Sequence, residues 1–341
     1  MKRNGFYLLL LLVIAGLTYF FVFREPGDGF SRSEANFSVR DTAAVTAMFL
    51  SDMVGNSAKI SREGSGWKLN DSFTARPDAV AFLLEALATQ KPDQPVPSGF
   101  HDAAIRDLSA NSAKIEVYQG KEKTHTFYVA KNPGYNNVTY MLTEGAKRPF
   151  IVKIPLRTNM FLGVRYLTRP ADWRDRKILY TEGPIEEVQV SYRDSVQFSF
   201  TINNRSSQPA VSGNSTPATP LNLKRVQTYL GALNQVYCTG FEDRYLRKDS
   251  IIQHERQLGS ITIRRQGGQQ QQLTVFFKPR DKGTKGLMKV GGTEYDFDSF
   301  FGLLNGKDFL LISRKNVEKM FRSFPEFFEA DAVPANAPAG N

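Results

Sequence analysis

Cysteine is nearly absent from this 341-residue chain, in which Cys238 is the only one. A single cysteine cannot make an internal disulfide, a cysteine-based zinc site or a CxxC redox centre. The fold must therefore be stabilised by its core rather than by covalent cross-links. We expect Cys238 to be a small buried apolar residue near the end of a helix.

Histidine is also scarce, and the three histidines lie far apart without a second ligand at metal-binding spacing. The chain contains neither the GxxxxGK[ST] phosphate loop nor the GxSxG nucleophile elbow. The sequence therefore predicts no catalytic residue, no metal site and no cofactor. An enzyme is thus a less favoured function class than a protein-interaction module or an anion-binding module.

Long apolar runs are missing except for one at the N-terminus, from Asn4 to Phe23, which follows Lys2 and Arg3. Its twenty residues suffice to cross a hydrocarbon core of about 30 Å. Bulky residues at its end disfavour signal-peptide cleavage, and the basic start places the rest of the chain outside the cytoplasm. The sequence predicts an uncleaved single-pass anchor within residues 1–24. Residues assigned to it are Gly5, Leu8, Leu12, Ile14, Leu17, Phe20 and Phe23.

Acidic residues are outnumbered by basic ones, which gives a net charge of +10 and a pI near 9.5. Such an excess favours polyanionic partners. A location outside the cytoplasm excludes nucleic acid and leaves anionic glycan, lipid headgroups or another protein. The densest basic region is either a solvated face or an anion-binding face. It comprises Arg244, Arg247, Lys248, Arg256, Arg264 and Arg265.

Hydrophobic periodicity predicts an α+β fold in two tandem repeats, each a mostly antiparallel sheet with one face covered by one or two helices. Helices over 77–90 and 221–236 carry matching apolar stripes displaced by 146 residues. The following strands keep this offset at Ile115 and Ile261. The next pair suggests an offset of 148, with Phe127 and Val129 matching Val275 and Phe277 after a two-residue insertion.

The predicted organisation has seven parts, one of them a loop rich in Ser, Asn and Pro. In chain order they are the cytoplasmic stub and anchor (1–24), a linker (25–36), the first repeat (37–165), a joint (166–184), the second repeat (185–324) with its loop (203–220), and a disordered tail (325–341).

An unusual string, ADWRDRKI at 171–178, lies in the predicted joint and surrounds a tryptophan with paired charges. This composition suits an ion-pair network with the indole packed over guanidinium groups. It would either lock the two halves together or form a partner hot spot. Its candidate residues are Asp172, Trp173, Arg174, Asp175 and Arg176.

Four stretches carry a resemblance to a known family: GSGWKLN at 64–70, PDAVAFLLEAL after it, RPFIVKIP at 148–155 and DWRDRKI at 172–178. They resemble an uncharacterised "domain of unknown function" family of bacterial envelope proteins. Its members have an N-terminal membrane helix, and related domains occur in the auxiliary component of gliding-motility-type ABC transporters. The resemblance implies a bacterial inner-membrane protein that faces the periplasm beside a transporter or envelope assembly. It implies no catalytic residue.

The sequence therefore favours a membrane-anchored periplasmic interaction module with an envelope protein as its partner. A module that binds anionic glycan or lipid headgroups is the alternative, and an enzyme without a recognisable motif is the second alternative.

Overall fold

The computed structural model describes residue 13 and residues 34–157, 160–217 and 219–329. The predicted anchor, apart from Val13, lies outside these residues. Within them, no helix is long and apolar enough to cross a membrane. The chain divides into two compact units between Arg174 and Asp175, and each unit is described separately.

The first unit is an antiparallel sheet with the strand order β4-β3-β2-β1-β6-β7-β8-β9-β5. Its strands are β1 (Val45–Asp52), β2 (Ser57–Glu63), β3 (Gly66–Leu69), β4 (Phe73–Thr74), β5 (Lys91–Pro95), β6 (Ser112–Gln119), β7 (Glu122–Ala130), β8 (Thr139–Thr143) and β9 (Phe150–Lys153). Its helices are α1 (Pro77–Thr89), α2 (Ser98–Ala110) and the single turn α3 (Pro170–Trp173).

The second unit is also an antiparallel sheet, with the order β12-β11-β10-β14-β15-β17-β18-β13 and β16 paired with β17. Its strands are β10 (Ile185–Tyr192), β11 (Phe200–Asn203), β12 (Ala210–Gly213), β13 (Gly240–Phe241), β14 (Gln257–Arg265), β15 (Gln270–Pro279), β16 (Leu287–Val290), β17 (Thr293–Leu304) and β18 (Asp308–Ser313). Its helices are α4 (Leu223–Leu233), α5 (Lys248–His254) and α6 (Arg314–Met320).

The mixed α+β class with antiparallel sheets is thus confirmed, and the two sheets share a strand order. The two orders coincide when the strands are matched one to one. The strands β3, β2, β1, β6, β7, β8, β9 and β5 correspond, in this order, to β12, β11, β10, β14, β15, β17, β18 and β13. The helices α1 and α4 occupy the same place in chain order, before β5 and β13. Strand β4 is present only in the first described sheet and β16 only in the second.

Strand register corrects the expected two-residue insertion. Ile115 pairs with Phe127 in the first unit, and Ile261 pairs with Leu273 in the second, so both partners are displaced by 146 residues. The match of Phe127 with Val275 is therefore wrong. Leu273, Val275 and Phe277 all point to the same side of a strand, so alternation alone cannot detect a slip of two residues.

The helices cover opposite faces of each sheet rather than one. In the first unit, α1 buries Val80 and Leu83 in the same cluster as Val129, whereas Leu108 of α2 packs with Ala130. Adjacent strand residues point to opposite faces, so α1 and α2 lie on different sides. In the second unit, Ile251 of α5 packs with Phe276, the neighbour of the buried Val275.

Three predicted boundaries also need correction. The joint over 166–184 is divided, because Tyr166 and Trp173 belong to the first core while residues from Asp175 onward belong to the second unit. The loop over 203–220 contains β12, which pairs with β11. Residues 325–329 do not belong to a disordered tail, because the chain packs as far as Phe328, which is buried, and the rest of the predicted tail lies outside the described residues. A capping box between Ser323 and Glu326 fixes the 3-10 helix Phe324–Phe327.

Candidate functional site

The first unit has a cleft of about 270 Å³ between α1 and the 3-10 helix Leu162–Arg165, which we call the first-unit cleft. Helix α1 starts at Pro77, whose fixed φ and missing N–H suit the first helical position. The cleft is lined by Arg76, Ala79, Phe82, Val164, Arg165, Leu167 and Trp173.

Two large apolar side chains lie exposed in this cleft. Phe82 is 55% exposed and Val164 is 65% exposed. Phe82 falls outside the buried stripe of α1, which Val80, Leu83 and Leu87 form against the sheet. An aromatic residue on the outer side of an amphipathic helix gains nothing from the unit's own core, which makes it a candidate contact for a partner.

Arg165 connects the two walls of the cleft. Its guanidinium donates to the backbone oxygen of Phe82 at 2.9 Å and to Glu85 Oε2 at 2.8 Å. Its Cζ also lies 5.3 Å from the centroid of the Phe82 ring. Arg157 donates to the other oxygen of Glu85 at 2.9 Å. The hydrogen bond from Arg165 lowers the pKa of Glu85, so this carboxylate stays charged.

The predicted joint residues up to 174 are built into the first unit. Trp173 is fully buried, and its Nε1 donates to the backbone oxygen of Leu167 at 2.8 Å. Asp172 accepts two hydrogen bonds from Arg169, at 2.8 and 2.9 Å. The Arg174 guanidinium stacks 4.1 Å from the ring centroid of Phe73.

The rest of the motif contributes to the second unit. Asp175 Oδ1 caps the backbone N–H of Lys177 at 3.1 Å. The backbone oxygen of Arg176 accepts from Cys238 N at 2.9 Å. Cys238 itself is buried. The residues of the motif therefore contribute contacts to both units, Asp172 and Trp173 to the first and Asp175 and Arg176 to the second.

A polar cluster lines the neighbouring cleft of about 330 Å³, which shares Val164 and Leu167 with the first-unit cleft. The Asp52 carboxylate has 3% of its side chain exposed, and Lys131 Nζ lies 2.5 Å from Oδ2. Thr168 Oγ1 donates to the same oxygen at 2.6 Å. The backbone N–H groups of Val54 and Asn56 and the Asn56 side chain donate as well.

These contacts determine what the cluster does. Burial alone would raise the pKa of Asp52, but hydrogen bonds from Lys131, Thr168 and Asn56 outweigh it and hold that pKa well below its usual range. A carboxylate that already accepts five hydrogen bonds has no site left to take a proton from a substrate. The cluster therefore fastens the β1–β2 turn to the segment around Thr168.

Arg265 does not form part of an anion-binding face. Its side chain is buried, and its guanidinium donates to the backbone oxygen of Gly183 at 2.8 Å and to Asn234 Oδ1 at 2.9 Å. Burial lowers the pKa of Arg265. Its role is to hold residues 179–183 against the end of α4.

The other five residues of the predicted anion-binding group do not form one patch with Arg265. Arg264 donates to both oxygens of Glu187 at 3.3 Å, and Arg256 donates to Asp194 at 2.9 Å. Arg264 is the second-last residue of β14 and Arg256 immediately precedes its first residue, so the two lie about 27 Å apart at the usual rise per residue. Of the remaining three, Lys248 begins α5, Arg247 is its N-cap residue and Arg244 lies in the preceding turn.

A basic cleft of about 360 Å³ does occur in the second unit, between α4, α6 and the 3-10 helix Phe324–Phe327. We call it the second-unit cleft. Arg225 and Thr228 line it, and they stand 146 residues after Ala79 and Phe82 of the first-unit cleft. The same side of the matching helix therefore faces both clefts, with apolar residues in one unit and a cation and a hydroxyl in the other.

Sequence reasoning named Trp173 of the first-unit cleft and Asp172 of the neighbouring cleft, but it missed the other lining residues. Asp52, Lys131 and Thr168 are far apart in the chain, so no local pattern connects them. Phe82 gave a usable signal, because it is an aromatic residue outside the apolar stripe of its helix. Among the residues that the structure describes, no group of three His, Cys, Asp or Glu side chains could hold a metal ion.

Comparison with known proteins identifies a family for this chain. No curated protein and no solved structure matches this chain. A family model matches residues 67–250, more than half of the chain, and covers parts of both units. The chain therefore belongs to the family described as Domain of unknown function (DUF4340).

Proposed function

We propose that this protein is a non-enzymatic, membrane-anchored interaction module of the bacterial periplasm, whose first-unit cleft docks an apolar side chain of an envelope protein. The observation that carries the proposal is the exposure of Phe82 and Val164 beside arginines that already have acidic partners. An accessory role beside an ABC transporter or envelope assembly follows from the family resemblance.

The charges around the cleft define what the partner must offer. Arg165 is bonded to Glu85, and both nitrogens of the Arg76 fork donate to Asp78. Because these arginines already have acidic partners, an acidic residue of the partner would add little binding free energy. We expect most of the binding free energy to come from the apolar side chains. Buried aromatic anchors surrounded by a polar rim are the usual centre of a protein interface.

Site-specific photo-crosslinking in intact cells tests this docking surface. A photoreactive amino acid at Phe82 should give a discrete crosslinked product with one membrane protein, whereas the same group at Lys121, an exposed turn residue of the same unit, should give none. Val164→Asp should abolish the Phe82 product by placing a charge in the apolar contact. Equal products from both positions, or a Phe82 product that survives Val164→Asp, would refute the proposal.

The proposed anchor is the apolar run that ends at Phe23. Replacing Leu8 and Leu12 by arginine costs about 2.5 to 3.5 kcal/mol per charge at the helix centre, besides the lost leucines. We expect the wild-type protein to stay in the membrane after alkaline extraction and the double variant to leave it. Arginine at Ser31 and Ser33 supplies the charge-matched control, which should remain membrane-bound. Retention of the Leu8→Arg/Leu12→Arg protein would count against the anchor.

We further propose that the two units arose by duplication. The matching strand order and the 146-residue offset through α1, β6 and β7 support it. The alternative function, binding of anionic glycan or lipid headgroups, is not favoured at Arg244 to Arg265, because Arg265 is buried and Arg256 and Arg264 are paired with carboxylates.

A further inference from the structure

Four cationic side chains line the second-unit cleft. Lys224 and Arg225 come from the first turn of α4, Lys319 comes from α6, and Arg322 follows that helix. Glu326 is the acidic residue among the lining side chains. The cleft therefore carries an excess of positive charge, in contrast to the balanced charges of the first-unit cleft.

Contacts within the cleft hold these cations in place without neutralising all of them. Arg225 donates to the backbone oxygen of Glu326 and to Glu329 Oε2, both at 3.1 Å. Arg322 lies 3.5 Å from Glu326 Oε2, a longer and weaker pair. Lys319 Nζ donates to the backbone oxygen of Gln235 at 3.2 Å, which orients the ammonium group. Because a backbone carbonyl carries no net charge, this contact does not neutralise the lysine.

The floor of the cleft is aromatic. Tyr229 and Phe327 are buried with ring centroids 5.4 Å apart, and Ala232 of α4 completes the apolar lining. The Tyr229 hydroxyl donates to the backbone oxygen of Met320 at 2.7 Å, so its polar end is already satisfied. What remains for a ligand is an apolar floor below a cationic rim.

We propose that the second-unit cleft binds a phosphate-bearing amphiphile, with the phosphate at Lys319 and Arg322 and the apolar part on the Tyr229–Phe327 floor. Arginine and lysine together suit a phosphate, because the fork bonds two oxygens and the ammonium adds a point charge. Lipid headgroups and soluble phosphate esters share this chemistry. This site is independent of docking at Phe82.

Calorimetric titration of the full chain in neutral detergent tests the site with short-chain phosphatidylglycerol, with short-chain phosphatidylcholine and with inorganic phosphate. We expect saturable binding of phosphatidylglycerol that weakens as salt is added. Lys319→Gln/Arg322→Gln should weaken it about tenfold or more, because each removes a charge-assisted hydrogen bond. The control Lys282→Gln/Lys289→Gln removes the same charge from exposed residues of the same unit and should leave binding unchanged.

A variant of the floor separates the two ligand sources. Ala232→Phe fills the apolar part of the cleft, so it should weaken phosphatidylglycerol and leave inorganic phosphate unaffected if the amphiphile is recognised. Equal affinity for both probes with no effect of Ala232→Phe would show a plain anion site and overturn the proposal. Equal weakening by the two glutamine pairs would overturn it as well, since binding would then follow net charge. Unchanged melting temperatures of the variants are required for each comparison.

Discussion

Replacing Trp173 with alanine is expected to lower the free energy of unfolding of the first unit by about 3 to 5 kcal/mol. The side chain is fully buried in the core cluster that also contains Leu83 and Ile60. Its loss leaves a large cavity and frees the backbone oxygen of Leu167, which accepts its Nε1–H. The backbone oxygen of Trp173 also accepts from Arg76 N at 2.7 Å, so the start of α1 should loosen.

Segment-resolved hydrogen exchange in denaturant measures this effect in each unit separately. Trp173→Phe keeps most of the ring volume and should cost about 1 kcal/mol for the lost hydrogen bond plus a small packing loss. Trp67→Ala is the matched control, because Trp67 is only half-buried and stacks on Arg62. If Trp173→Ala destabilises the first unit no more than Trp67→Ala does, the core role is wrong.

The joint interpretation makes a different prediction for the same variant. A tryptophan that fastened two halves would, when removed, open new proteolytic cleavage within 166–184 while both units kept their exchange protection. A tryptophan that served a partner would leave stability unchanged and abolish the Phe82 crosslink. The contacts of Trp173 with Arg76 and Leu167 favour loss of protection in the first unit instead.

Hydrophobic periodicity predicted the helices that bury one face, because their apolar residues recur at helical spacing. The stripes of α1 and α4 carry the same spacing, so their displacement of 146 residues could be read directly. Strand register could not be read in the same way, because β15 offers Leu273, Val275 and Phe277 on one side. Strand β12 was missed because its sequence, AVSG, has only one partly buried apolar residue.

The candidate sites were less predictable than the fold, because they depend on contacts between distant residues. The basic residues at 244–265 are dense in sequence, yet Arg265 is buried against residues 179–183, while Arg256 precedes the other end of the same strand. The second-unit cleft instead joins residues almost a hundred positions apart, Lys224 and Arg322. Charge density along the chain could not predict this grouping, since the fold separates basic residues that the sequence places together.

The buried carboxylate of Asp52 predicts a stability that depends on pH. Its folded-state pKa lies well below its unfolded value, near 3.8, because hydrogen bonds to the charged form outweigh burial. A depressed pKa stabilises the fold above the unfolded pKa, and this contribution is lost as pH falls from about 5 through the folded-state pKa. We expect the first unit of the wild-type protein to lose stability over that range more steeply than the Asp52→Asn protein.

Asp52→Asn itself should cost about 3 kcal/mol at neutral pH, since it leaves Lys131 without its carboxylate beside a buried Thr168. This cost is at the lower end of the usual range for breaking a buried ion pair, because the Lys131 side chain is 29% exposed and can reach water. Lys131→Met should recover part of the loss when combined with Asp52→Asn, because the unpaired charge is then gone. Asp71→Asn, at an exposed pair with Lys59, is the control and should change stability by less than about 1 kcal/mol. Equal losses for Asp52→Asn and Asp71→Asn, together with the same pH dependence in both proteins, would show that the buried cluster contributes no more than a surface ion pair.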